Sequence, residues 1–285
     1  MKKANEILSS PPAHWVGDGF PVRGMFGKHV FTESVSPFLM LDYAGPAQFE
    51  PTSRRRGVDG HPHKGFETVT IVYAGEVEHH DSTGNHGVIG PGDVQWMTAG
   101  AGILHKEYHS ENFAREGGDF EMVQLWVNLP AKDKGAKPGY QSILNADIPT
   151  VSLPGGGEAR VIAGSLLDQT GPAKTFSPMN VWDLSYPEAA TSRIELPEGH
   201  TCIVLVRRGS VRIGDGPEVG EASLAILDAG DARLEITASS GTKALILSGE
   251  PLGEPIAAQG PFVMNTREEL VDAMRQFQRG AMGNL

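Results

Sequence analysis

Histidines are concentrated in one stretch of this 285-residue chain, and their spacing could hold a metal ion. Seven of the ten histidines lie between residues 61 and 109. Within that stretch His61 and His63 are two residues apart, and His105 and Glu107 have the same spacing. Because side chains two residues apart project from one face of a β-strand, each pair could present two donors to one ion. Three neutral imidazoles and a carboxylate suit a borderline divalent metal such as iron, manganese, nickel, cobalt, copper or zinc.

The residues alone leave the fourth donor open. Glu107 completes the second pair, but Glu67 lies an even number of residues from the first pair and could face the same way. His109 and Glu111 continue the even spacing of the second pair. Histidines gathered on a surface are the competing interpretation. Four inward polar groups without an ion would each cost about 1–3 kcal/mol, so an inward arrangement favours a bound metal.

Short β-branched and aromatic segments predict an all-β fold around these residues. The chain has 36 glycines and 20 prolines, which are dispersed without a period. Short strands bounded by glycine, aspartate or proline are typical of small antiparallel barrels and sandwiches. The segments that carry this prediction are Thr68–Tyr73, Val94–Met97, Met122–Val127, Cys202–Val206 and Ala244–Leu247.

A repeated pattern predicts two such barrels. The tetrapeptide at Gly75 (GEVE) resembles that at Gly209 (GSVR), 134 residues later. The tetrapeptide at Gly92 (GDVQ) resembles that at Gly230 (GDAR), 138 residues later. In each half a strand reaches a glycine, another strand follows, and a Gly-Asp turn begins the next, as in a barrel with tight hairpins.

The hydrophobic pattern lapses over residues 131–155, which sets the expected domain boundaries. We expect an N-terminal barrel over residues 1–135 and a C-terminal barrel over residues 150–285. A Thr-x-x-Glu capping box begins at Thr266 and is followed by apolar residues at helical spacing and then by a glycine. This pattern predicts that a short helix at about 267–279 closes the chain.

Charge and cysteine content narrow the classes of function. The chain has 24 Lys and Arg against 35 Asp and Glu, a net charge of −11. This charge repels phosphate backbones and anionic membranes, so neither nucleic acid nor a membrane is expected as a direct partner. The single cysteine, Cys202, excludes an internal disulfide and fits a reducing compartment. The first residues lack the apolar run of a signal peptide, so a cytoplasmic location is expected.

Five motifs are distributed over nearly the whole sequence. They lie at residues 37–42 (PFLMLD), 60–70 (GHPHKGFETVT), 92–107 (GDVQWMTAGAGILHKE), 124–130 (QLWVNLP) and 253–266 (GEPIAAQGPFVMNT). These motifs resemble those of the pirin family of the cupin superfamily. The segment Gly100–His105 resembles the second motif of general cupins, but His109 stands four residues later where those proteins have asparagine, which is pirin-like.

The resemblance implies a bicupin, with two small antiparallel β-barrels and one mononuclear metal, usually iron, in the N-terminal barrel. Carried onto the matching positions, it implies that the metal ligands are His61, His63, His105 and Glu107. By the same analogy Glu67 becomes a residue that supports the ligands or lines the pocket.

The C-terminal barrel is expected to lack a metal site. Shifting the four implied ligands by 134 to 138 residues reaches Glu195, Pro197, Lys243 and Leu245, which could not assemble one. The nearest remnant, His200 and Cys202, lacks further donors and is interpreted as structural. This barrel would then support packing or provide an interaction surface.

Two functions follow from the resemblance. Several pirins are quercetin 2,3-dioxygenases, which open a flavonol ring with dioxygen and release carbon monoxide. In such a reaction Glu107 would be the catalytic base that takes the proton of the substrate hydroxyl. The alternative is an iron-binding, redox-sensing regulator that binds a transcription factor or a metabolic enzyme. In that case the basic run Arg54–Arg56 would be a candidate docking patch for the protein partner.

Overall fold

The computed structural model describes residues 1–27, 31 and 33–285, and within them the chain is built mainly of β-strands. The strands up to residue 143 are β1 (Ala4–Leu8), β2 (His14–Val16), β3 (Phe20–Phe26), β4 (Phe38–Phe49), β5 (Gly57–His63), β6 (Phe66–Ala74), β7 (Val77–Asp81), β8 (His86–Ile89), β9 (Val94–Thr98), β10 (Ile103–His109), β11 (Gly118–Asn128) and β12 (Gly139–Ile143).

The remaining strands and the helices complete the described chain. These strands are β13 (Thr150–Ser152), β14 (Glu158–Ala163), β15 (Ser165–Leu166), β16 (Gln169–Thr170), β17 (Met179–Tyr186), β18 (Ala190–Glu195), β19 (Thr201–Arg208), β20 (Val211–Ile213), β21 (Glu218–Val219), β22 (Ser223–Leu227), β23 (Arg233–Ala238), β24 (Thr242–Gly249), β25 (Ala257–Gln259) and β26 (Phe262–Met264). The two α-helices are α1 (Glu111–Glu116) and α2 (Arg267–Gln278).

The chain folds as two compact units, each with its own pair of main sheets. The unit that we name the N-barrel comprises residues 12–31, 38–145 and 253–285. The unit that we name the C-barrel comprises residues 1–11, 32–37 and 146–252. The expected boundaries ran continuously from 1 to 135 and from 150 to 285, whereas in the structure each unit includes a terminal segment that those boundaries gave to the other.

The two units have the same antiparallel strand order. In the N-barrel a seven-stranded sheet has the order β12-β9-β6-β11-β4-β3-β2, and a four-stranded sheet has the order β5-β10-β7-β8. In the C-barrel the corresponding orders are β1-β22-β19-β24-β17-β14-β13 and β18-β23-β20-β21. The predicted all-β bicupin architecture is therefore confirmed.

Only one of the two predicted repeat matches is correct. Gly75 joins β6 to β7 and Gly209 joins β19 to β20, and both have a positive φ, of 79° and 72°. Gly92 precedes β9, which pairs with β6, but Gly230 precedes β23, which is not a partner of β19. The C-barrel strand in the place of β9 is β22. The match at Gly230 was wrong because Gly-Asp occurs at many tight turns.

The C-terminal segment belongs to the N-barrel and ends in the predicted helix. Thr266 caps α2 by accepting from the Glu269 amide, and the Glu269 carboxylate accepts from the Thr266 amide. The helix buries Leu270 and Ala273, whereas Phe277 is exposed. Neither helix in the described residues has the length and apolar character needed to cross a bilayer.

Candidate metal centre

Strands β5 and β10 bring the two predicted donor pairs together. The strands are antiparallel, and His61 lies directly opposite His105 in their register. The register shifts between His105 and Glu107, so that Glu107 lies opposite Val58. The residues of each pair are on one face of their strand, as their spacing predicts.

Three imidazoles converge inside the N-barrel. The ring centroids of His61 and His105 are 4.3 Å apart, and the ring of His63 lies 4.8 Å from each of the others. One ring nitrogen from each residue lies within 4.8 Å of the other two, so the three could hold one ion. His63 and His105 are buried, while His61 is partly exposed.

Burial keeps two of these imidazoles neutral. Loss of solvation, together with the neighbouring His61, lowers the pKa of His63 well below its usual value, although the Pro261 carbonyl acts in the opposite direction. Loss of solvation and the surrounding histidines also lower the pKa of His105 well below its usual value. A neutral imidazole is the form that binds a metal, so the donors need not lose a proton before they bind.

Hydrogen bonds also select the nitrogen that each ring can offer. His61 Nδ1 lies 2.8 Å from the Asp59 carbonyl oxygen, so Nδ1 donates to that oxygen and Nε2 is the nitrogen left to face a metal. His105 Nε2 is buried and has no hydrogen-bond partner among the described residues. An unpartnered buried nitrogen is costly, and a metal ion would satisfy it.

The Glu107 carboxylate is held by the Gln95 amide and has the Thr70 hydroxyl beside it. Its Oε1 accepts from Gln95 Nε2 at 2.9 Å and lies 3.4 Å from Thr70 Oγ1. Glu107 has a carboxylate oxygen within 4.8 Å of ring nitrogens of His105 and His79, and it lines the same cavity as His61. The sequence analysis did not identify Gln95 or Thr70, since their contacts depend on the pairing of β6, β9 and β10.

The cavity beside these residues is small and mostly apolar. Its volume is about 90 Å³. Met40 and Trp126 line it and are partly exposed, and Trp126 packs edge-on against His63 at 5.2 Å. The lining residues are Val16, Phe20, Val22, Met40, Asp42, Val58, His61, His63, Glu107, Met122, Gln124 and Trp126.

Glu67 does not line this cavity, so the alternative in which it faces inward as the fourth donor is wrong, as is the role of pocket residue that the resemblance implied. Lys64 and Gly65 separate β5 from β6, and the parity of β5 does not continue through that turn. On β6 Thr70 contacts Glu107, so Glu67 lies on the opposite face of the strand. The Glu67 carboxylate accepts from Thr98 Oγ1 at 2.7 Å. Burial raises the pKa of Glu67 to about 7, although that hydrogen bond lowers it.

The other two candidates for the fourth donor also lie elsewhere. His109 Nε2 lies 2.8 Å from the Gly19 carbonyl oxygen, and the His109 ring packs edge-on against Phe49 at 4.6 Å. Glu111 is exposed at the start of α1. His109 is therefore part of an aromatic core.

The strand registers of the two barrels can be aligned at a turn. In the N-barrel Val77 lies opposite His109, and in the C-barrel Val211 lies opposite Ala238. Both valines come two residues after the turn glycine, so positions can be matched by counting along the paired strands.

Apolar side chains occupy the C-barrel positions that match the four candidate donors. In the order His61, His63, His105 and Glu107, the matching residues are Ile194, Leu196, Leu234 and Ile236. All four are buried, and none carries a ligand atom. A constant offset therefore assigned the wrong residues, namely Glu195, Pro197, Lys243 and Leu245.

The remaining C-barrel candidates are buried within that unit. His200 Nδ1 lies 3.3 Å from Ser248 Oγ, and Cys202 is fully buried. Burial raises the pKa of the Cys202 thiol to about 12, so this cysteine remains protonated at neutral pH.

Comparison with known proteins places this geometry in a family. The Pirin family model matches residues 19–127, and the model described as the pirin C-terminal cupin domain matches residues 181–283. A Pseudomonas aeruginosa protein named "Putative quercetin 2,3-dioxygenase" is 57% identical over 281 residues, covering 98% of each chain. Human pirin is 34% identical over 94% of this chain and 89% of its own.

A solved structure agrees over the full length. The crystal structure of quercetin 2,3-dioxygenase from Acinetobacter baumannii superposes with a TM-score of 0.96 at 49% identity. The alignment covers 100% of this chain and 99% of that one. Both halves of the sequence, the strand order and the histidine-lined cavity thus lead to one conclusion: this chain belongs to the pirin family of bicupins.

Proposed function

We propose that this chain is an iron-dependent dioxygenase that opens flavonol rings, as a quercetin 2,3-dioxygenase does. The observation that carries the proposal is the convergence of His61, His63 and His105 next to a cavity that His61, His63 and Glu107 line. The names of the P. aeruginosa relative and the A. baumannii structure support the choice of reaction.

The four proposed ligands fit a redox-active divalent ion. His63 and His105 offer neutral nitrogens, His61 adds a third ring nitrogen within reach, and the unpartnered Nε2 of His105 is poised to bind. Three imidazoles and one carboxylate leave positions open on a metal that prefers five or six ligands. When bound, the metal supplies Lewis acidity toward the substrate oxygen and redox chemistry toward dioxygen. We propose iron, although the donor set also suits manganese, nickel, cobalt, copper or zinc.

Glu107 is the proposed base. Its carboxylate lines the cavity, where it could take the proton of a flavonol hydroxyl group. The amide of Gln95 holds Oε1 at 2.9 Å and so fixes the carboxylate while the proton is transferred. Replacing Glu107 by Gln removes the base but retains a side chain of similar shape.

The size of the cavity requires side-chain movement when a flavonol binds. The volume of about 90 Å³ is below the roughly 300–1,000 Å³ of pockets that enclose drug-sized ligands. Met40 and Trp126 line it, are partly exposed and are the side chains that would move. Their displacement would open the cavity to an aromatic substrate while the buried histidines stay in place.

An aerobic assay tests the proposal directly. Iron-loaded protein is mixed with quercetin, and ring opening is followed by loss of flavonol absorbance and by release of carbon monoxide. We expect turnover under air, no turnover without dioxygen, and loss of both metal and turnover in His61→Ala. We expect Glu107→Gln to lower turnover by at least about 100-fold. Full activity of Glu107→Gln with its metal bound would refute the role of Glu107 as base.

A redox-sensing regulator is the alternative proposal, and it has less structural support. Arg54 pairs with Asp18 at 2.9 Å, and Arg55 lies 3.4 Å from Glu78. The Arg55 guanidinium also stacks over the Tyr108 ring at 3.9 Å. These contacts occupy two arginines of the candidate docking patch. Absence of flavonol turnover together with a partner that binds only one oxidation state would favour the regulator.

A further inference from the structure

A second group of possible metal donors lies on the outer face of the small sheet of the N-barrel. We name Glu78, His80 and His86 the outer cluster. Glu78 and His80 are on β7, where they alternate with His79 and Asp81. His86 is on the edge strand β8, directly opposite His80. None of the three outer residues lines the cavity beside His105.

The donor atoms of the outer cluster already lie at ligand-like separations. His80 Nε2 is 2.6 Å from Glu78 Oε1, and His86 Nε2 is 3.2 Å from the same oxygen. The ligand atoms of all three residues lie within 4.8 Å of one another. A tetrahedral zinc ion with bonds of 2.0–2.1 Å separates its ligands by about 3.3 Å. A shift of the two Nε2 protons to Nδ1, together with small side-chain rotations, would therefore seat an ion.

The two imidazoles are held together in a way that favours a shared ion. Their ring centroids are 4.2 Å apart and their planes differ by 29°, a stacked arrangement. Two protonated imidazoles at this distance would repel each other, whereas two neutral ones can bind one metal. Both rings share Glu78 Oε1, and its carboxylate supplies the negative charge that a divalent cation requires.

The outer cluster is open to solvent but contains a competing cation. The exposed fractions of the side chains are 13% for Glu78, 32% for His80 and 55% for His86. An ion can therefore enter from water and complete its coordination with water. The Arg55 guanidinium lies 3.4 Å from Glu78 Oε1, where its charge opposes that of an incoming metal.

We propose that the outer cluster is a second divalent-metal site, which takes zinc or a similar borderline ion through Glu78, His80 and His86 and water. The site joins β8 to β7 and so stabilises the edge of the sheet. It is independent of the proposed dioxygenase site, because it shares no ligand with it. A protein that fills both sites contains more than one metal ion per chain.

Zinc stoichiometry tests the outer cluster. Full-length protein is stripped with a chelator and titrated with Zn²⁺ in equilibrium dialysis, and bound metal is measured by elemental analysis. We expect two zinc ions per wild-type chain and one in the double variant His80→Ala, His86→Ala. The control Val88→Ala changes an exposed neighbour on β8 that has no donor atom, and it should retain both ions.

A second set of variants tests zinc binding at the outer cluster when the proposed dioxygenase site has lost its donors. The double variant His61→Ala, His105→Ala removes two donors of the proposed dioxygenase site, and we expect it to bind one zinc ion per chain. Adding His86→Gln to that variant should abolish this remaining zinc binding. Zinc should raise the melting temperature of the double variant His61→Ala, His105→Ala, but not that of the triple variant that also carries His86→Gln. If His80→Ala, His86→Ala binds as much zinc as wild type, with equal affinity, the outer site is excluded, whatever happens in the cavity.

Replacing Arg55 should strengthen zinc binding at the outer cluster, whereas replacing the histidines should weaken it. Arg55→Ala removes the competing charge, so we expect zinc to bind the outer cluster roughly two- to fivefold more tightly. The matched variant Arg54→Ala removes a neighbouring arginine that pairs with Asp18 and should leave the zinc affinity unchanged. Equal affinity of Arg55→Ala and wild type would exclude Glu78 as a ligand and overturn the three-donor site.

Discussion

The Nδ1 atoms of His105 and His79 lie 3.5 Å apart in the interior of the N-barrel. On its other side, His79 Nε2 lies 3.1 Å from Asp81 Oδ2. Although burial raises the pKa of Asp81, hydrogen bonds from His79, Thr83 and Asn85 hold it well below its usual value. The charged Asp81 draws the proton of His79 to Nε2, which leaves His79 Nδ1 to accept from His105. The lone pair of His105 Nε2 is then free for a metal.

Asp81→Asn tests the chain of contacts from Asp81 through His79 to His105, which we name the relay. An amide no longer selects the His79 tautomer, so we expect metal affinity at the cavity to fall roughly 10- to 100-fold. The measurement is the dissociation constant of the bound metal by chelator competition, in a background without His80 and His86. Asp93→Asn is a matched control because Asp93 accepts from the amides of Gly90 and Asn145 and holds no histidine. Equal affinity in Asp81→Asn and Asp93→Asn would contradict the relay.

The buried Glu67 carboxyl predicts a pH dependence of stability. Its pKa is raised by burial to about 7 in the folded state, above its usual value of 4.5. Between these values the folded protein retains a proton that the unfolded chain releases, so the free energy of unfolding falls as pH rises from 4.5 to 7. The loss reaches about 3 kcal/mol and stays constant at higher pH.

Glu67→Gln removes that titration. We expect the stability of the variant, relative to wild type, to increase between pH 4.5 and pH 7 in urea unfolding. Glu121→Gln is the control, since Glu121 is also buried and accepts from Tyr43 Oη at 3.0 Å. A wild-type pH profile unchanged by Glu67→Gln would show that Glu67 does not titrate in this range.

Met40 in the lining of the cavity predicts a change in substrate entry. Met40→Ala removes a partly exposed side chain that narrows the space beside His61, so we expect a lower KM for a flavonol with little change in kcat. The comparison is Met274→Ala, which alters a methionine on α2, away from the cavity. Identical kinetics in the two variants would show that Met40 does not restrict entry.

Replacing His109 by Ala should lower the free energy of unfolding without removing the metal from the cavity. The ring is enclosed by Phe20, Phe49, Phe113 and Phe120, so His109→Ala leaves a void in an aromatic core. We expect a cost of roughly 2–4 kcal/mol in the free energy of unfolding. Elemental analysis below the melting temperature should still find metal in the cavity. Loss of that metal from folded protein would make His109 a ligand.

Strand periodicity predicted part of the site from the sequence. The two-residue spacing of His61 and His63 correctly placed them near His105, since alternation holds along a single strand. It failed for Glu67 because the turn at Gly65 separates two strands and resets which face is inward. Gly65 has φ of 86°, and an added Cβ would lie 2.0 Å from the Val263 carbonyl oxygen.

Contacts between strands were beyond what local spacing can indicate. His79 and Asp81 have the same two-residue spacing as the predicted pairs, but their position beside His105 depends on the pairing of β7 with β10. The domain boundaries depended on contacts between distant segments, such as β1 with β22. The cytoplasmic location stays a prediction from the sequence.

Each unit contains a terminal segment that is distant in sequence from the rest of that unit, and this affects how the protein can be divided into fragments. Residues 4–8 form the outermost strand of the C-barrel, while residues 253–285 complete the N-barrel, where Met282 accepts from Ser82. A fragment cut near residue 145 would therefore carry one strand without its partner and lack the segment whose Pro261 carbonyl faces His63. Neither half would be a self-sufficient module, and any activity regained by mixing the two would report fragment complementation.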